Sequence, residues 1–225
     1  MTGTIPSGKQ NKTNGWMRVL GVDPAATGPT GYGIVESDGR RCRMLHYGTL
    51  KTAAKRQRDL AGATLHDVHA LLCQLIEDFS PDVIAVENVF TALNMRTALR
   101  LAEVRGVVLL AAAQHNLEVH SYAPRKVKAS IAGHGHADKR QMQLMVRALL
   151  SMSETPEPSD AADALAVALC HLQAEQVRQR FALPDPSTPT RPRAMRTAVD
   201  SAGLPNEIPL GGATRRGLPR IVSTR

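Results

Sequence analysis

At 225 residues the chain is long enough for one well-cored domain of about 150 residues plus tails, and its 3% aromatic content requires that core to be aliphatic. The formal charge of +8 sits entirely at the ends: residues 17–176 balance, with 17 Lys and Arg against 17 Asp and Glu, so bulk charge gives no argument for nucleic-acid binding by the domain. Three scattered cysteines with no Cys-x-x-Cys pair argue against a disulfide scaffold or a thiolate zinc site and suit a reducing cytoplasm, and no run approaches the roughly 20 apolar residues of a membrane span.

The first sixteen residues hold no apolar stretch of signal-peptide type and read as a disordered extension. Residues 17–23 (MRVLGVD) form a short apolar run rich in β-branched residues, and the breakers of Pro24 to Gly31 follow at once, so Asp23 should sit at the tip of a strand. Residues 31–36 and 41–50, joined through the hairpin-type pair Asp38-Gly39, complete a three-stranded antiparallel meander. A helical stripe of Leu60, Leu65, Val68, Leu72, Leu75 and Ile76 runs from about Lys55 to Phe79 and is stopped by Ser80-Pro81. Residues 82–87 (DVIAVE) suit a strand buried on both faces and returning parallel to the first, with Glu87 at its end.

Residues 92–115 read as a long helix whose Ala98, Ala102, Gly106 and Ala112 would admit a close neighbour, and 117–122 as a further strand. Helices are expected over about 124–131 and 139–150. A last helix starts near Ser159, the expected N-cap, and carries Asp160 and Asp163 on one face. After about Gln176, prolines mixed with Ser, Thr, Gly and Arg leave no core periodicity. The expectation is an α/β fold, a mixed five-stranded sheet flanked by helices in a domain of residues 17–176, followed by a basic, disordered tail over 177–225.

Each of the four acids has a plain explanation by itself, because aspartate is common in turns and in first helical turns. Parallel strands, however, bring their C-terminal ends to one edge of a sheet, where open α/β folds bind ligands. If Asp23 and Glu87 end neighbouring strands with the Asp160 helix beside them, four carboxylates converge. An all-oxygen set of this kind suits Mg²⁺ or Mn²⁺ rather than Zn²⁺, and two such ions about 4 Å apart can activate water against a phosphodiester.

From about Met17 to Gln176 the chain resembles the RuvC-type Holliday-junction resolvases, which have a ribonuclease H-like fold. The resemblance rests on Gly21-Val-Asp-Pro24, Thr30-Gly-Tyr-Gly33, residues 85–90 (AVENVF), 98–106 and 122–128, Gly133-x-Gly-x-Ala-Asp-Lys139 and residues 160–165 (DAADAL). It implies a homodimeric, metal-dependent endonuclease of recombination and repair that nicks four-way DNA junctions to leave 5′-phosphates and 3′-hydroxyls. Asp23, Glu87, Asp160 and Asp163 would be its catalytic metal ligands, for two Mg²⁺ ions, with Mn²⁺ able to substitute. A branch-migration complex of RuvA and RuvB type would be its partner.

Lys128 and Lys139 match family lysines near the scissile phosphate. The clusters Arg125-Lys126-x-Lys128 and Lys139-Arg140 are the expected phosphate contacts, with a solvated helix face as the plain alternative. Phe90 is either the family's base-stacking aromatic or a core residue. His134 and His136 are a weak metal signal on a loop and are expected near DNA. Ala25 and Ala26 replace the family's usual glycine and serine in a loop one residue longer, which changes the local turn.

Two other readings stay open at this level. One is a phosphate-binding module of the actin and sugar-kinase class, which would need a second lobe and does not use the Asp160/Asp163 pair. The other is a junction-binding protein whose altered loop has lost its metal site.

Overall fold

The computed structural model describes residues 15–25, 28–50, 62–88 and 95–181. Strands β1 (Met17–Asp23), β2 (Thr30–Ser37) and β3 (Cys42–Leu50) form the expected antiparallel meander, followed by helix α1 (Ala63–Phe79) and strand β4 (Val83–Glu87). Helix α2 (Met95–Gln114), strand β5 (Glu118–Tyr122) and helices α3 (Pro124–Ala132), α4 (Lys139–Leu149) and α5 (Ser159–Arg180) complete the order. The sheet runs β3-β2-β1-β4-β5, with β1–β4 and β4–β5 parallel and the other pairs antiparallel.

The central strands are buried on both faces, which is why 17–23 and 82–87 read as continuous apolar runs rather than as alternation. Val19, Val35, Val83, Ala85 and Tyr122 face one core with α3, α4 and α5; Leu20, Val22, Ile34, Ile84 and Val86 face another with α1 and α2. Side-chain alternation therefore puts Asp23 and Glu87 on the α5 side, two residues beyond Gly21 and Ala85.

Four details differ from the sequence reading. Helix α1 begins at Ala63, after Gly62 at φ 86°, a left-handed position that favours glycine; residues 51–61, where the helix was expected to start, lie outside the described residues. Ser159 is the first helical residue rather than the cap. Pro158 in extended backbone takes that position, its carbonyl accepting from the Ala161 and Ala162 N–H groups. Helix α5 runs past the expected domain end at Gln176 to Arg180, with Arg178 paired to Glu175 and two arginines complementing the C-terminal end of the helix dipole. Ala112 is buried between α2 and the sheet, so it does not belong with exposed Ala98, Ala102 and Gly106. The expected extension over 1–16 lies outside the described residues up to 14, and the tail does so from 182 onward.

Candidate active site

Asp23 and Glu87 end β1 and β4, whose parallel register pairs Val22 with Val86, so the two carboxylates follow side by side at one edge of the sheet. What brings α5 to that edge is a set of glycines. A Cβ at Gly31 would stand 2.0 Å from the Asp160 carbonyl oxygen, and one at Gly21 would stand 2.1 Å from that of Ala164. Any side chain at either strand position would push the helix away, so the bare backbone of β1 and β2 lets the first turn of α5 lie directly on the sheet. Ala161, Ala164 and Ala168 meet it from the helix side, all buried.

Asp23, Asp160 and Asp163 each bring a carboxylate oxygen within 4.8 Å of the others. Glu87 joins them through a hydrogen bond with Asp23. Burial, then the charges of Glu87 and Asp163, push the Asp23 carboxyl up to about 9, so that near neutrality it keeps its proton and donates it to Glu87. Burial also raises Glu87, against the opposing effect of that hydrogen bond and of Lys128 and Lys139. Asp163 is raised by burial against the pull of Lys139, whose Nζ lies 3.9 Å from its Oδ2. A buried set of hard oxygen donors that repel one another is the donor chemistry a divalent cation fits, and the cation would take over the role of the trapped proton. The cluster is thus suited to a metal.

Of the expected phosphate contacts, Lys128 and Lys139 are the two whose charge reaches the acids. Arg125, Lys126 and Arg140 are exposed nearby on α3 and α4. Lys126 turns elsewhere: its Nζ sits 5.1 Å over the Tyr122 ring, and its charge is felt at Cys170. His134 meets Gln141 at 3.3 Å, and among the described residues neither it nor His136 joins a metal-type cluster. Asp138 caps α4 by accepting from the Gln141 N–H. Phe90 and Ala26 lie outside the described residues.

Sequence reading missed two features. The glycines were quoted only as parts of motifs, although Gly31 and Gly33 at alternate positions already mark one bare face of a strand. The buried contact between Tyr122 and His171 joins residues 49 apart and has no local signature.

A family model described as crossover junction endodeoxyribonuclease RuvC matches residues 19–171. The chain belongs to the RuvC family. A crossover junction endodeoxyribonuclease RuvC of Caldicellulosiruptor saccharolyticus is 45% identical over 157 residues, covering 69% of this chain and 92% of the relative. That of Natranaerobius thermophilus is 42% identical, covering 73% of this chain and all of the relative. Among solved structures, Thermus thermophilus RuvC in complex with a Holliday junction substrate matches with a TM-score of 0.66 and 36% identity, over 72% of this chain and 96% of that one. The yeast mitochondrial Holliday junction resolvase, at 16% identity and a TM-score of 0.50 over 74% of this chain and 85% of that one, shares the fold. The RuvC-family chain is accordingly a crossover junction endodeoxyribonuclease with a ribonuclease H-like sheet, and its acid cluster lies within the matched residues.

Proposed function

We propose that the chain resolves four-way DNA junctions, hydrolysing one phosphodiester in each of two opposing strands, with Asp23, Glu87, Asp160 and Asp163 holding two Mg²⁺ ions per site. The observation that carries this reading is the convergence of three aspartates within 4.8 Å, beside Glu87 and two lysines, in a member of a junction-nuclease family. The solved RuvC complex with a Holliday junction supports the choice of substrate. When bound, the ions would activate a water and stabilise the leaving oxygen, giving 5′-phosphate and 3′-hydroxyl ends.

The chain's own groups divide the remaining work. Glu87, Asp160 and Asp163 all act on Asp23, which supports a central place for it among the residues that would hold the ions. Lys128 and Lys139 hold the scissile phosphate, Arg125, Lys126 and Arg140 contact flanking backbone, and Phe90 stacks on bases at the crossover. Two such sites are related by a homodimer axis at α2, whose outward face exposes Met95, Leu99, Leu109 and Leu110 beside Ala98, Ala102 and Gly106. The enzyme works in the cytoplasm with a branch-migration complex of RuvA and RuvB type; no described helix is long and apolar enough to cross a membrane.

The test is cleavage of a mobile four-way junction against a linear duplex in Mg²⁺, Mn²⁺ and Ca²⁺. Wild type should nick the junction symmetrically in Mg²⁺ and Mn²⁺ but only bind it in Ca²⁺, and Asp23→Asn and Asp163→Asn should bind without cutting. Cutting by both variants would sink the carboxylate mechanism. Tight binding with no nicking by wild type in any of the metals would favour the junction-binding alternative.

A further inference from the structure

Tyr122 is the register partner of Glu87 on the neighbouring parallel strand, and its side chain enters the core shared with α3 and α5. There its hydroxyl meets His171 Nδ1 at 2.7 Å, in contact edge to face with ring centroids 5.9 Å apart. His171 is fully buried and belongs to α5, the helix that carries Asp160 and Asp163, about 12 Å further along its axis than Asp163. Its Nε2 faces Glu175 Oε1 at 3.9 Å, and Glu175 is ion-paired with Arg178. At 3.9 Å that carboxylate is beyond hydrogen-bond length, and the imidazole tautomer decides which partner donates in the Tyr122–His171 bond, since a tyrosine hydroxyl can do either.

The Tyr122 ring is also held from the α3 side. Lys126, in the first turn of α3, lies over it, and Lys128 two residues later acts on Glu87 and Asp163. One side chain thus joins the end of β5, the start of α3 and the middle of α5. The His120 ring of β5 lies tilted against His171 at 4.7 Å between centroids, and the remaining contacts of α5 with the sheet in this region are mainly Ala, Val and Leu packing, which is non-directional and constrains distance better than position along the helix axis. A hydrogen bond is short and angle-dependent, and enclosing two polar groups where Phe and Leu would fill the space carries a desolvation cost.

We propose that the Tyr122–His171 hydrogen bond is a positioning contact, which sets the aspartates of α5 against Glu87 and Lys128 and so governs the rate of strand cleavage rather than junction affinity. The inference rests on the cleavage reading above.

Tyr122→Phe removes the hydroxyl and leaves the ring under Lys126. At saturating enzyme and Mg²⁺, where partial unfolding alters enzyme concentration but not the single-turnover rate constant, it should cut about tenfold more slowly or worse. Junction affinity in Ca²⁺ should stay within about twofold of wild type. His171→Leu should match it, and the double variant Tyr122→Phe/His171→Leu should be no slower than either single one, since both remove one interaction. His171→Asn, whose amide oxygen falls near the position of Nδ1, should recover most of the rate. If Tyr122→Phe is too unstable to assay, His171→Asn against His171→Leu gives the same contrast. Wild-type rates in Tyr122→Phe and His171→Leu, with only a lowered melting temperature, would overturn the proposal, as would His171→Asn being as slow as His171→Leu. Failure of the wild type to cut would overturn the cleavage reading and this inference with it; a cutting wild type with unaltered variants would overturn this inference alone.

Discussion

Two ends of the same sheet bury carboxylates, and they treat them in opposite ways. At one end Glu36, 2% exposed, has Arg18 and Arg43 as direct cross-strand neighbours, and both guanidinium groups bond it. Arg18 also donates to the Phe79 carbonyl, and Arg43 lies under the Trp16 ring. At the other end Asp23 has bare Gly31 opposite it on β2 and Glu87 beside it on β4, and its remaining close charges are also negative. A buried acid that the fold supplies with cations is a structural tie. One that the fold surrounds with more acids keeps a proton until something else brings positive charge, and that difference separates a ligand site from a clamp more sharply than acidity alone.

The comparison breaks if exchanging the two acids for amides gives similar results. Asp23→Asn should reduce junction cleavage at least about a thousandfold, roughly 4 kcal/mol of transition-state stabilisation at 1.36 kcal/mol per decade. Without metal its melting temperature near neutrality should rise, because the amide enters the buried cluster without the proton that the Asp23 carboxyl must take up on folding. Glu36→Gln should do the reverse: rate per folded enzyme unchanged, stability lowered by about 3 kcal/mol, at the low end for a buried pair because both arginines reach solvent. Single-turnover rates beside thermal melts read both. A stable, active Glu36→Gln would deny the clamp its role.

Gly31→Ala probes how the two ends came to differ. The added methyl meets the Asp160 carbonyl at 2.0 Å, backbone that cannot swing aside, so α5 must shift. Overpacking of this kind costs about 1 to 3 kcal/mol, and the displaced aspartates should lower cleavage well beyond what that loss of stability explains. Gly39→Ala, at a turn with open space around it, is the control for glycine removal without a close contact, although its φ of 86° adds local strain.

These residues also show what the sequence discloses. The strands ending at Asp23 and Glu87, their parallel relation and the i, i+3 pair on α5 could all be read locally, because both-face burial and helical spacing leave their mark within a few residues. The convergence of the four acids followed from those pieces. The glycine contacts did not, since a missing side chain has meaning only once the helix it admits is known. Ser159 was misread for a similar reason: its capping preference is local, whereas Pro158 and the approach of α5 to the sheet set where the helix begins. Tyr122 and His171, with their hydrogen bond across 49 residues, could be found only by folding the chain.

The acid end should also reveal itself through pH. Asp23 holds its proton more tightly folded, at about 9, than unfolded, at 3.8, so its contribution to metal-free stability is full below the unfolded value and is lost as pH rises toward the folded one. Saturating Mg²⁺ should flatten that decline, because the bound ion favours the charged form, and its binding should release protons near neutrality. Melting curves from pH 5 to 9 with and without Mg²⁺, and titration calorimetry in buffers of different ionisation enthalpy, measure the two effects. A Glu36→Gln variant should show the same profile as wild type, and a pH profile unaffected by Mg²⁺ would mean that Asp23 is not where the ion sits.

The smallest effect sharpens the comparison among cations. Lys128 and Lys126 are two residues apart on α3, both in the basic cluster read as phosphate-binding, yet only the first acts on Glu87 and Asp163 while the second covers the Tyr122 ring. Lys128→Ala should therefore slow cleavage far more than it weakens binding. Lys126→Ala loses a cation–π contact of about 0.5 to 1 kcal/mol, which corresponds to about a two- to fivefold change. Lys126→Met, which keeps the alkyl stem over the ring but not the charge, separates packing from charge: if it behaves as wild type in rate yet weakens junction binding at low salt, Lys126 is a phosphate contact as well as a brace. Equal losses of rate in Lys126→Ala and Lys128→Ala would mean that helical phase on α3 does not decide which lysine serves the acids.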